Sequence, residues 1–309
     1  MNATPLRQHR FFSPLRLSAL AGNTFTQLLR MKTLYFLLIF GAALVVFGFV
    51  VPAPPSGDGL ASFGGEQELR LLKSASLGAM SWFSVILAIA GTAMLLPKDV
   101  EDRTLYTILC KPVPRLEYLL GKLLGVLLLT GLALVVMDLG CCVAIWLKEK
   151  SLIAQEMAYW DSRKLLDDER MAQIQRLYAR HGLDWNLQAA VLGIFWQSAV
   201  MATMALLIST FASSSLFTIM AGLALVVIGQ GQELARDYLF KDLVPGAQRF
   251  IAVGIALLFP DLRQFNVIDE VVNGTAMPLW FVAKMSGVAL LYVGFYSLLA
   301  WFSFSDKEL

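Results

Sequence analysis

The chain has 309 residues, a net charge of +2, and 57% hydrophobic against 16% charged residues. That composition is too apolar for a soluble domain of this size and makes an integral membrane protein the default class. The near-neutral balance excludes the basic surface that a nucleic-acid binder needs, and the charges fall in blocks between apolar runs.

The first element is a mostly polar N-terminal segment, residues 1–32, carrying Arg7, Arg10, Arg16, Arg30 and Lys32. It does not have the form of a cleavable signal, so the apolar run that follows is expected to stay as an anchor. Within the segment Leu17, Leu20, Ala21, Thr24 and Leu28 fall at helical spacing between basic ends. This predicts a helix leading into the first span, either lying in the membrane interface or simply juxtamembrane.

A helix needs about 20 apolar residues to cross the hydrocarbon core, because its backbone polar groups must be satisfied internally. Six spans are expected on that ruler: 33–51, 74–97, 123–147, 187–208, 216–232 and 277–304. Asp138 interrupts the third and Lys284 the sixth. The fourth and fifth come from a stretch of 46 residues without a charge, 187–232, divided at the small polar cluster STFASSS. One piece is left over, FIAVGIALLF at 250–259, closed by Pro260. It is too short to cross and reads as a re-entrant or interfacial segment, or as a short apolar helix under a loop.

Basic residues near span ends orient the chain. Five precede the first span and only Arg70 and Lys73 follow it, so both termini and residues 97–122 are expected in the cytoplasm. The segment 148–186, expected outside, carries seven basic and seven acidic residues. A helix is predicted there over 151–182, with Met171, Ile174, Leu177 and Tyr178 on one face and Gly182 as its stop.

Signals for chemistry are sparse. LLGKLLG at 119–125 has a Gly-Lys pair, but no glycine five residues before Gly121 and no Ser or Thr after Lys122, so it is not a nucleotide loop. Gly121 and Gly125 read instead as a small-xxx-small packing face. Two histidines, His9 and His181, and the free thiols Cys110, Cys141 and Cys142 make no metal-ligand pattern, and no catalytic residue is assigned. Asp138 is the exception, since an ionisable group deep in a span serves either a proton or ion path or a structural pairing with a neighbouring helix.

The most informative stretch is PKDVEDRTLYTILCKPVPRLEYLLGK at 97–122, with five basic and four acidic residues between two apolar runs. Its ordered string, Glu101, Arg103, Thr104, Leu105, Ile108, Leu109, Lys111, Pro112, Val113, Arg115, Glu117, Gly121 and Lys122, resembles the loop between spans two and three of permease subunits in the type-two ABC exporter family. NTFTQLLRMKTLYFLLIF at 23–40 and FPDLRQFNV at 259–267 look like the branch of nitrous-oxide-reductase maturation and gliding-motility permeases. The long segment 148–186 departs from that pattern.

The resemblance implies an all-α integral membrane protein whose six transmembrane helices are joined by an N-terminal interfacial helix, a cytoplasmic coupling helix and a short re-entrant segment. It also implies residence in a prokaryotic cytoplasmic (inner) membrane, and pairing with a second copy or a paralogue. A separate ABC ATPase subunit would use ATP and Mg, with no cofactor held by this chain. In the loop, Asp99, Glu101, Asp102 and Arg103 offer a charged face to that partner. Leu105, Tyr106, Ile108 and Leu109 offer an apolar one, and Thr104, Lys111, Arg115 and Glu117 complete the docking set. Pro112 and Pro114 stop the helix and fix the return. Two other classes stay open: a secondary transporter or channel using Asp138, and a membrane scaffold acting through 148–186.

Overall fold

The computed structural model describes residues 13–31, 35, 39, 41–43, 46, 64–101, 114–162, 167–182, 184–212, 214–240 and 259–305, side chains excepted at 96–101, 170, 177, 179–181 and 233–240. Among them all regular structure is helical, and five helices are long and apolar enough to cross a membrane. In chain order the elements are α1 (Pro14–Leu29), α2 (Gly64–Glu101), α3 (Arg115–Ser162), α4 (Asp168–His181), α5 (Asn186–Phe211), α6 (Ser215–Phe240), a 3-10 turn (Leu262–Phe265), α7 (Ile268–Val272) and α8 (Leu279–Ser305). The expected first span, 33–51, lies almost wholly outside the described residues, as does the short apolar piece 250–259 except Phe259. The described positions of that span are helical, and Gly41 is buried against Met137 and Phe83.

α2 and α5 form the centre of the bundle. In their most apolar windows 67% of residues are buried, against 28% in α6 and 22% in α8, which leaves the latter two at the periphery. The main core joins Leu77, Met80 and Ile89 of α2 to Leu119, Leu134 and Ile145 of α3 and to Ile194, Met201 and Leu206 of α5.

Helix lengths differ from the expected spans. α2 has 38 residues and α3 has 48, about 57 Å and 72 Å, against a hydrocarbon core of about 30 Å. α2 starts ten residues before the expected position 74 and takes in Arg70 and Lys73; it also continues four residues past Pro97. α3 extends fifteen residues beyond position 147, through Lys148 and Glu149 to Ser162. The single helix expected over 151–182 is therefore two: the end of α3, then α4, started by the Asp167 side chain accepting from Asp168 N. Gly182 closes α4 with extended backbone, φ −72° and ψ −155°, and not with a left-handed residue. The carboxylate of Glu149 lies where a Gly182 side chain would be, so a larger residue there would have to displace it.

The protruding ends of α2 and α3, with α4, make a small cap. Leu69, Leu152, Ile174 and Tyr178 form a second apolar core there, separate from the main one. A Cβ on Gly65 would strike the Tyr178 hydroxyl, so this turn of α2 must be bare.

At the same end of the bundle the described residues 259–267, between α6 and α8, pack without forming α-helix. Gln232 Nε2 donates to Phe259 O at 2.6 Å, and Leu262 and Phe265 are fully buried beneath Gly229 and Gly193. Non-helical backbone is tolerable at such depth only when protein covers it, and these two glycines give it room.

Candidate functional site

The charged loop leaves the bundle opposite the cap. Of the residues expected to dock a partner, Asp99 and Glu101 lie in the last turn of α2, without described side chains. Asp102, Arg103, Thr104, Leu105, Tyr106, Ile108, Leu109, Lys111 and Pro112 lie outside the described residues. Arg115 and Glu117 are described, and both are engaged within the chain.

Glu117 is fully buried in the first turn of α3. Its Oε1 accepts from Ser13 N at 2.7 Å and from Arg16 Nη2 at 3.1 Å, while Arg16 Nε stands 3.0 Å from Oε2. Two donors converging on Oε1, one of them charged and one from the backbone, fix direction as well as distance. Pro14 presets the first turn of α1 and so aims Ser13 and Arg16 at Glu117.

Below this clamp α1 lies on bare helix. A Cβ on Gly121 would come within 2.6 Å of Leu20 Cβ, and one on Gly125 within 2.6 Å of Thr24 Cβ and 2.9 Å of Ala21 O. The small-xxx-small face thus receives the buried face of α1, formed by Ala21, Thr24 and Leu28.

Arg115 reaches the other way. Its Nη1 donates to Phe304 O at 2.9 Å and to Ser305 O at 2.6 Å. These carbonyls lie at the end of the described part of α8, where a cation suits the helix dipole. The guanidinium also sits 5.9 Å from the Phe304 ring, which stacks on Tyr118 at 6.2 Å, and Lys122 Nζ lies 5.7 Å from the Tyr118 ring. The root of the loop is therefore a joint: one turn of α3 holds the start of α1 through Glu117 and the end of α8 through Arg115.

Asp138, the intramembrane candidate, is 8% exposed and faces α5. Gln188 Nε2 donates to its Oδ2 at 2.9 Å, and Cys142 Sγ approaches Oδ1 at 3.7 Å. Gln188 was not among the expected residues; its one signal is an amide near the start of a charge-free run. Lys73, read as a loop residue, is 2% exposed within α2, with Asp184, Cys141 and Glu149 as its electrostatic neighbours.

In the cap, Tyr178 donates to Glu156. Burial first, then that hydrogen bond and the charges of Glu156, Glu68 and Glu66, push its phenol well above the ordinary tyrosine range. Among the described residues no group of three or more His, Cys, Asp or Glu side chains could hold a metal ion.

A scan of the chain against protein-family models finds no match, and a search of the curated proteins finds none.

Proposed function

We propose that the chain is the transmembrane permease subunit of an ATP-driven exporter of the type-two ABC kind, working as a dimer with itself or a paralogue. In this reading residues 97–122 form the docking lever for a separate ATPase subunit. The membrane is a prokaryotic cytoplasmic membrane, with six spans and both termini inside. ATP-dependent closure of the partners moves substrate outward.

One observation carries the reading. The charged string hangs between two continuous helices, and its return helix is bonded in its first turn to both α1 and the end of α8. A push on the loop would reach α2, α3, α1 and α8 together, as a lever requires. The same contacts bring Ser13, Arg115 and Ser305 to one end of the bundle, which agrees with both termini lying on the side of the loop. Asp138 supports an ion path less well, since its carboxylate is bonded to Gln188.

The test is charge reversal, Glu101→Arg with Arg103→Glu, in tagged full-length chain recovered from native membranes. The expected result is loss of a co-purifying Walker-loop ATPase, identified by mass spectrometry, with membrane insertion unchanged. Normal recovery of that ATPase and normal ATP turnover would overturn the assignment.

A further inference from the structure

Beside the Asp138–Gln188 pair, α3, α5 and α8 line a half-open groove of about 390 Å³. Its volume falls in the range of ligand sites, and its lining side chains are apolar apart from the Gln188 amide and the Trp185 indole at its rim. That amide, of Gln188, is directed into the bundle: its Nε2 bonds Asp138 and reaches Cys142 Sγ at 4.0 Å. The cavity wall is thereby left apolar.

Two further features define what could fill it. The rim residues Trp185, Leu279 and Val135 are 74%, 77% and 55% exposed, so the cavity opens sideways from the bundle, where lipid lies. Along α5 the lining runs from Trp185 to Phe195, ten residues, about 15 Å deep. Its mouth is at the start of α5 and α8, with a tryptophan at the level where interfacial aromatics sit. Its floor is Gly131 against Phe195, where a Cβ would be 3.4 Å from the ring. A depth of about 15 Å is half the hydrocarbon core, that is, one leaflet.

We propose that this groove is a binding site for one acyl chain of a membrane lipid, entering from the leaflet on the cap side with its terminal methyl against Gly131 and Phe195. Lipid tails are as apolar as the walls, so retention comes from shape. A chain gripped by three helices keeps van der Waals partners on most sides, and an empty groove would forfeit them. The site does not depend on the export reading and survives its failure.

The experiment uses the full chain reconstituted in phosphatidylcholine vesicles containing a phosphatidylcholine with a diazirine near the end of one acyl chain. After irradiation, labelled peptides are mapped by mass spectrometry. The expected result is several-fold more label per residue at Gly131, Leu192 and Phe195 than at Leu291 and Leu298 on the open face of α8. Filling the groove with Val135→Phe and Ala189→Phe should remove that excess and leave Leu291 labelling unchanged; Gly131→Leu gives a second block, at the floor. Equal labelling of groove and open face in the unmodified chain, or an excess that persists in the filled variants, would overturn the proposal. So would an unlabelled groove in which Val135→Cys cross-links between two copies.

Discussion

The two ends of α3 hold their ion pairs at different depths. At the loop end Glu117 is fully buried and Arg115 is bonded to backbone, so each charge is a structural bond between helices distant in sequence. At the cap end Lys148 and Glu68 pair at 2.8 Å with side chains 17% and 22% exposed, beside the small core of Leu69, Leu152, Ile174 and Tyr178. The contrast teaches that a charged flank of a span says little by itself about which flank is a surface. Loss of a buried acceptor leaves its donors unsatisfied, whereas a rim pair can exchange its partner for water.

Glu117→Ala should break this comparison hardest. It removes the acceptor for Ser13 and Arg16 and should cost about 3 kcal/mol, the low end for a broken buried pair because Arg16 is partly exposed. Thermal unfolding of the purified chain, with cysteine accessibility at Thr24→Cys, would measure it; unchanged stability and a shielded Thr24→Cys would show that α1 is held by Gly121 and Gly125 alone.

A middle-sized effect is expected at Tyr178. Its folded pKa is raised, so its contribution is complete below the ordinary tyrosine value of about 10 and is lost as pH rises through the folded value. Tyr178→Phe should cost the cap about 1 kcal/mol at neutral pH and flatten its alkaline loosening. Labelling at Ile174→Cys with and without Tyr178→Phe would read both, and an identical alkaline response in the two chains would assign the loosening to another group. The smallest effect belongs to Lys148→Ala, at most about 1 kcal/mol and weaker in high salt. A larger loss, seen in the same labelling assay, would mean that the cap is held by charge and not by Leu69, Leu152, Ile174 and Tyr178.

The bilayer ruler finds the apolar part of each described span because a membrane demands a fixed run of apolar residues. It misses helix ends for the same reason. Charged residues at Gly64–Lys73 and Lys148–Ser162 stop the membrane, not the helix, so α2 and α3 run on and build a cap. The face of α1 and the Gly121/Gly125 stripe are each visible as spacing. That they belong together is not, since Glu117 meets Ser13 and Arg16 across 104 and 101 residues. Asp138 and Gln188, 50 residues apart, are illegible as a pair for the same reason. Glu117 itself reads as one more charge in a charged loop, and only the packing of α1 over it marks it as internal.

The joint at the root of the loop also sets an order of events during synthesis. α1 emerges before α3, and its seat there is made roughly a hundred residues later, about 5–20 s at usual elongation rates. Through that interval its apolar face needs another shelter, and the surface of the membrane is the nearest one. Arg115 then waits for Phe304 and Ser305, 189 and 190 residues further on. The joint therefore closes only when the end of α8 arrives, and a nascent chain cut short of α8 would carry the loop on an unfinished hinge.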